Sequence, residues 1–310
     1  SSLSEAGVTR ATDIAIGPSA GEAVGGSRRQ LRPWRPGTSV MVVPVLILLG
    51  VVFVYPTSIF LLRAFTHFNP PQVAGLDNLV WFLGDETNRI ILVRTFTVAS
   101  MCAVLTAIVA FPYAYCMTVI GPRGRTIMLG VLLLSMFLGI LLRNFAWVIL
   151  LQYQGPLNDI LDAIGLDRIR FLGTAPAVVM GMMHILFPFM VLPLYSVLNG
   201  IDRRLVLAAQ SMGATPMRAF RQVYLPLAMP GIIAGALLVF VLALGFFITP
   251  ALLGSPRQAL MSQLMFLQFD LQAAFGRAGA MAVVLLIIAM VFVILSNIVQ
   301  RRSRAYGDAS

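Results

Sequence analysis

The stretch AAQSMGATPMRAFRQVYLPLAMPGI, residues 208–232, differs from the sequence on either side of it. Long apolar segments with almost no charge flank it, whereas the stretch itself contains two arginines, two glycines and three prolines. Pro226 and Pro230 are expected to end any helix before the next apolar segment begins, because proline lacks the backbone donor that a helix interior needs. The stretch is therefore predicted to be a short, structured connection between two apolar segments.

Capping residues predict that this connection is a hairpin of two short helices. Asp202 is placed to cap a first helix of about residues 203–212, and Gly213 is the residue type that ends a helix in a left-handed turn. Thr215 suits the cap of a second helix, of about residues 216–224, which has proline at its first position. Such a hairpin suits a groove on another protein. Amphipathic helices lying on a membrane surface are the alternative that composition leaves open.

The composition around the hairpin indicates an integral membrane protein. Apolar residues make up 59% of the chain and charged residues only 11%, against about a quarter charged in soluble domains. Each of six apolar segments has about the 20 residues that a bilayer requires. We therefore predict an all-α integral membrane protein with six transmembrane helices and the hairpin, within a loop at 201–226, between the fourth and the fifth. The six segments are residues 40–62, 95–120, 127–152, 175–198, 231–253 and 279–299.

The basic residues predict the orientation and exclude one function. All 22 are arginine, and a phosphate-binding loop of the GxxxxGK[ST] type requires a lysine, so we expect ATP to be bound by a partner. The net charge of +10 fits cytoplasmic loops of a membrane protein better than nucleic-acid binding. The arginine bias places both termini in the cytoplasm. The expected organisation is a disordered cytoplasmic tail at 1–37, a transmembrane domain at 38–300 and a cytoplasmic tail at 301–310.

The hairpin also carries a sequence resemblance. The pattern Ala-Ala, three residues, Gly, nine residues and Val-x-Leu-Pro resembles the cytoplasmic EAA loop of binding-protein-dependent ABC importer permeases. One position departs from that pattern, because Leu207 stands where the family has glutamate. Three further stretches are similar to the spermidine/putrescine branch of these permeases. They are LLRNFAWVILLQYQGPLNDIL at 141–161, FPFMVLPLYSVLNGID at 187–202 and LALGFFITPALLG at 242–254.

The resemblance implies a type I importer permease fold and a set of partners. They are a second homologous permease subunit, a dimer of ATPase subunits that binds ATP and magnesium, and a periplasmic solute-binding protein. The chain itself would bind no cofactor and would lie in a bacterial inner membrane, transporting a polyamine or a similar small amine or opine-type solute. The coupling residues carried over are Leu207, Ala208, Ala209, Gly213, Ala214, Thr215, Pro216, Arg218 and Pro226.

The candidate solute pathway lies in the third and fifth segments. Arg143 and Trp147 lie in the third, and ionisable groups within a membrane span are candidates for function. The favoured alternative for Arg143 is structural, with the side chain snorkelling or pairing with a backbone carbonyl near the end of its helix. The fifth is interrupted, and freed backbone at membrane depth is tolerated where it faces protein or a wet cavity. His184, in the fourth segment, is expected to be a satisfied interior histidine. The pathway candidates are Arg143, Trp147, Phe246, Phe247, Thr249 and Pro250.

Two other classes of protein were compared with this prediction. A secondary transporter driven by an ion gradient also uses broken helices, but it commonly requires acids within its spans, and none of the six segments contains one. A membrane enzyme is disfavoured because HExxH does not occur and the two histidines, His67 and His184, lie in different segments or loops with no partner cluster, and we expect no catalytic residue and no metal site.

Overall fold

The computed structural model describes residues 36–66 and 76–307. Within these ranges all regular secondary structure is helical. This confirms the all-α prediction. The α-helices are α1 (Pro36–Leu49), α2 (Tyr55–Thr66), α3 (Asp77–Gly84), α4 (Glu86–Val119), α5 (Pro122–Phe137), α6 (Ile140–Leu151), α7 (Pro156–Ala163), α8 (Ala175–Asn199), α9 (Arg203–Ser211), α10 (Pro216–Ala219), α11 (Leu225–Leu244), α12 (Ile248–Leu253), α13 (Met261–Phe266) and α14 (Phe275–Gly307). Short π-helical turns occupy Gly50–Val54, Phe220–Tyr224 and Leu267–Leu271.

The chain divides into two compact units, residues 1–51 and 52–310. The described part of the first unit is α1 and the beginning of the turn that follows it. Most of the predicted N-terminal tail, residues 1–35, lies outside the described residues, as do 308–310. Helix α14 continues to Gly307, so residues 301–307 extend the last helix rather than forming a separate segment.

Within the described residues, five helical segments are long and apolar enough to cross a membrane, and the bent pair of α5 and the segment 140–163 makes up to six. The axes of this pair differ by 96°, where one continuous span was expected at 127–152. The helix stops because Leu138 and Gly139 have extended backbone angles, with ψ of 129° and 139°. The five single segments are Val43–Thr66, Glu86–Val119, Ala175–Asn199, Pro216–Leu244 and Phe275–Ile294.

One sequence prediction was wrong: Pro226 and Pro230 do not end the second hairpin helix. A single helical segment runs from Pro216 to Leu244 through both prolines. The π turn explains why Pro226 is tolerated. The Leu225 N–H donates to the Phe220 carbonyl five residues back, so the helix is already wider than an α-helix at the position where Pro226 follows. The hairpin is thus continuous with the helix that leads towards the fifth-segment break.

Helices α4, α8 and α11 pack against one another and form the centre of the second unit. Two glycines spaced four apart let α11 approach α8 closely. A Cβ on Gly231 would lie 2.8 Å from the Cβ of Val197, and one on Gly235 would lie 3.1 Å from the Met190 carbonyl oxygen. Small residues at this spacing allow close backbone approach between membrane helices, so α8 and α11 form a tightly packed pair.

Candidate functional site

The first helix of the hairpin begins and ends as its sequence predicts. The Asp202 carboxylate accepts a hydrogen bond from the Arg204 backbone N–H at 2.9 Å. At the other end Gly213 has φ of +91° and donates to the Gln210 carbonyl at 2.9 Å, while Ala214 donates to the Ala209 carbonyl at 3.1 Å. These two bonds form a Schellman motif, which satisfies carbonyls that the helix leaves unpaired.

The second helix of the hairpin starts immediately after this corner. The Thr215 hydroxyl accepts a hydrogen bond from the Arg218 backbone N–H at 3.4 Å, and Pro216 occupies the first helical position. Both predicted caps are therefore confirmed. The corner fixes the angle between α9 and α10 by backbone geometry and capping, using two short helices of nine and four residues.

The hairpin exposes large apolar side chains. Leu207, Met212 and Met217 are 61%, 83% and 67% exposed, and Arg218 is exposed beside them. An open groove of about 640 Å³ runs along the second helix. Ala209 alone among the carried-over coupling residues is buried, against the hairpin's inner side. An exposed apolar surface with basic residues at its margin is typical of a binding site for another protein. The roles predicted for the individual coupling residues remain predictions. The groove is lined by Thr215, Met217, Arg218, Arg221 and Gln222.

The second candidate region is the break between α11 and α12. Helix α11 ends at Leu244 and α12 begins at Ile248, which confirms the predicted interruption. The Ser262 hydroxyl donates to the Phe246 carbonyl at 2.7 Å, so a side chain satisfies a carbonyl that the break leaves free. Phe246 and Phe247 are half-buried, and the Phe247 ring lies 4.9 Å from that of Phe266.

Helix α6 contributes the most unusual polar group of this region. Arg143 is only 9% exposed, and its Nε and Nη1 atoms have no hydrogen-bond partner among the described residues. The buried Oδ1 of Asn144 and Oγ1 of Thr249 are likewise unpartnered within the described part of the chain. Buried polar atoms without partners cost free energy, about 1–3 kcal/mol for each neutral group. Such atoms are therefore candidates for contact with water, a solute or another chain.

His184 differs from its sequence-based expectation. The Trp147 indole Nε1 donates to its Nδ1 at 3.1 Å, so a neutral His184 carries its proton on Nε2. The ring is nevertheless exposed in a helix whose apolar window is 61% buried, which makes it a pathway candidate that sequence reasoning did not select. The only sequence signal for His184 was its polarity within GMMHILF, because Trp147, which donates to it, lies 37 positions earlier in the chain.

The pathway candidates come together on three helices. Helix α12 packs against both α6 and α8, and a Cβ on Gly181 of α8 would lie 2.8 Å from the Thr249 Cγ2 atom. The hairpin is not part of this cluster, because helix α11 separates the two regions by its length of about 30 Å at 1.5 Å per residue.

The described residues contain no group of three or more His, Cys, Asp or Glu side chains that could hold a metal ion. The pathway cluster consists instead of hydrogen-bond donors, aromatic rings and backbone carbonyls. Its available chemistry is binding and guidance of a solute, and no nucleophile is paired with a base among these residues.

Comparisons with known proteins agree with the fold. Residues 35–305 match the family model described as binding-protein-dependent transport system inner membrane component. The chain is 33% identical over 204 residues to the spermidine/putrescine transport system permease protein PotB of Haemophilus influenzae, covering 64% of this chain and 71% of that one. It is 30% identical over 227 residues to PotB of Escherichia coli, covering 71% and 82%.

A solved structure shows the same architecture. The bacterial alginate ABC transporter, in complex with alginate pentasaccharide-bound periplasmic protein, contains a chain that superposes with a TM-score of 0.69 at 23% identity. The match covers 86% of this chain and 94% of that chain, and it places the fold among type I ABC importer permeases. None of these matches supports an ion-gradient-driven secondary transporter.

Proposed function

The chain belongs to the family of inner membrane components of binding-protein-dependent transport systems, and on that premise we propose that it forms half of the pathway of an ATP-driven polyamine importer. The hairpin is the proposed docking site for an ATPase subunit, and the cluster around Arg143 and the α11–α12 break is the proposed solute pathway. The observation that carries this proposal is the continuous helical segment Pro216–Leu244, which joins the docking surface to the break.

The proposed mechanism uses this helix as a lever. Binding of ATP closes the ATPase pair, which displaces the hairpin because its corner is held by the Schellman motif and two caps. The displacement moves the α11–α12 break and opens the pathway outwards, and hydrolysis returns it. Coupling of this kind requires a two-state element whose equilibrium both sites change.

The relatives named for spermidine and putrescine transport support a polyamine as the solute. A polyamine carries two or more positive charges, whereas acidic residues in the described candidate spans lie only near their ends. We propose that the second permease subunit supplies the compensating acid, while Phe246 and Phe247 attract the ammonium groups through their ring faces, by up to about 2 kcal/mol when desolvated. The acidic residues in question are Glu86, Asp159 and Asp162.

The proposed assembly follows the same reasoning. Two ATPase subunits bind ATP and magnesium, because this chain has no lysine for a phosphate-binding loop. A periplasmic solute-binding protein delivers the solute, and both termini of this chain lie in the cytoplasm, as the arginine distribution indicates.

Purification of the tagged chain in mild detergent, with mass spectrometry of every co-purifying protein, tests the assembly. We expect an ATPase subunit and a second six-span chain in a stable ratio. Recovery of the chain alone or as a homodimer, after cross-linking, would refute the docking role of the hairpin.

Uptake of radiolabelled putrescine and spermidine by cells that express the complete system tests the solute and the energy source. We expect uptake to continue in the presence of an uncoupler as long as cellular ATP is maintained. Uptake that stops with the proton gradient at constant ATP would favour a gradient-driven transporter instead.

A further inference from the structure

The cytoplasmic end of helix α4 has a carbonyl group that, because of the sequence, no backbone N–H of a continuing helix can satisfy. In a regular continuation the Thr118 carbonyl would accept a hydrogen bond from residue 122, but that residue is proline and has no N–H. The structure supplies a donor from a distant part of the chain, because the guanidinium of Arg203 donates to the Thr118 carbonyl. A cation at the C-terminus of a helix is also favoured by the helix dipole.

Arg203 is the first residue of α9 and thus of the hairpin. The hairpin and α4 are therefore joined by a charged hydrogen bond between residues 85 positions apart. Its neighbour Arg204 is exposed and contributes its backbone N–H to the Asp202 cap, and its guanidinium makes no hydrogen bond to any of the described residues. The two adjacent arginines consequently differ in their contact with α4.

Aromatic rings strengthen the same junction. The ring of Tyr224, which is 5% exposed, lies 5.4 Å from that of Tyr115 in an edge-to-face arrangement. The Phe220 ring stacks on Tyr224 at 5.6 Å and meets the edge of Phe111 at 6.0 Å. Tyr115 and Phe111 belong to α4, while Phe220 and Tyr224 form the ends of the π turn. Aromatic pairs of this geometry add about 0.5–1.5 kcal/mol each beyond their burial.

The outer end of α4 is joined to the segment beside the pathway. The Thr95 hydroxyl accepts a hydrogen bond from the Met261 backbone N–H at 2.9 Å, and Arg94 donates to the Ala259 carbonyl at 3.4 Å. Ser262, which directly follows Met261, donates to the Phe246 carbonyl at the α11–α12 break. Helix α4 between Thr95 and Thr118 spans about 35 Å at 1.5 Å per residue.

From these contacts we propose that α4 is a second connection between the hairpin and the pathway, in addition to α11. We further propose that Arg203 is the positioning residue that attaches α4 to the hairpin. Movement of the hairpin then reaches Phe246 by two routes, through α11 directly and through α4 and the segment 259–262. With both routes attached, the break moves as the hairpin moves. Without the Arg203 bond only the aromatic contacts hold α4 to the hairpin, so the hairpin can shift relative to α4, and ATP hydrolysis continues without equivalent transport. This inference rests on the proposed docking of an ATPase at the hairpin.

The test compares Arg203→Met with the matched control Arg204→Met in the complete importer, reconstituted in proteoliposomes with its binding protein and putrescine. Methionine keeps the apolar stem but cannot donate a hydrogen bond. We expect Arg203→Met to retain the ATPase subunits and to hydrolyse ATP, with putrescine transported per ATP lowered about fivefold, the lower end of typical coupling factors. Arg203→Lys, which can still donate to the carbonyl, should recover most of this ratio. Equal ratios for Arg203→Met and Arg204→Met would overturn the proposal.

A second measurement does not depend on the solute. Spin labels on the exposed positions Val93 of α4 and Ile164 after α7, with Cys102 and Cys116 replaced by serine, report the movement of α4 when ATP binds. We expect the distance between the labels to change in the parent protein and to change markedly less in Arg203→Met. An identical change in both would overturn the inference, whereas a parent complex that lacks an ATPase would refute the proposed function itself.

Discussion

The left-handed corner at Gly213 allows the coupling hypothesis to be tested with a series of substitutions at one position. Its φ is +91°, and a Cβ added there would meet no other atom within 4 Å, so the space is open and only the backbone angle resists a side chain. Residues with a Cβ in the left-handed region lose about 1–2 kcal/mol, and β-branched residues lose more. Asparagine tolerates the region far better. A change of 1–2 kcal/mol shifts an equilibrium by a factor of about 5–30.

We therefore expect transport per ATP hydrolysed to fall in the order Gly213→Asn, Gly213→Ala and Gly213→Val, with asparagine close to the parent protein and valine reduced about tenfold or more. The assay is simultaneous measurement of ATP hydrolysis and putrescine uptake in proteoliposomes. Because the corner is exposed and lies outside the core, all three variants should be recovered with their partners in normal yield. Transport by Gly213→Val equal to that of Gly213→Asn would refute the reasoning, since these two differ mainly in tolerance of the angle.

Three further sets of substitutions test the pathway and the second cap. Phe246→Ala and Phe247→Ala should raise the KM for uptake while leaving the amount of co-purified ATPase unchanged, and unaltered uptake kinetics in both would assign the rings to packing alone. Trp147→Phe removes the hydrogen-bond donor to His184 and frees the tautomer of its ring. The change in KM of the Trp147→Phe, His184→Phe double variant should therefore differ from the sum of the changes in the two single variants, and strict additivity would show that the pair does not act together. Thr215→Ala removes a cap worth about 1 kcal/mol and should lower transport per ATP by about fivefold, a result that Thr215→Ser should reverse.

Local signals predicted the hairpin well, and contacts between distant residues escaped them. Asp202, Gly213 and Thr215 each act within a few residues of their own position, so their roles could be read from the sequence. The continuity of the helix through Pro226 could not, because it depends on a π turn that packs against aromatic rings of α4. The pairing of Trp147 with a residue of another helix was equally inaccessible, since no local pattern relates the two.

The close contact between α8 and α11 limits how the pathway can change shape. The glycines that bring the backbones together leave no room for sliding, because Val197 and Met190 fill the space that other side chains would occupy. We therefore expect the two helices to move together as one rigid body, with His184 on α8 and Phe246 directly after α11. We therefore expect the separation between these two groups to change little when the protein changes conformation. If so, access to the pathway would alternate through movement of the other helices around this pair.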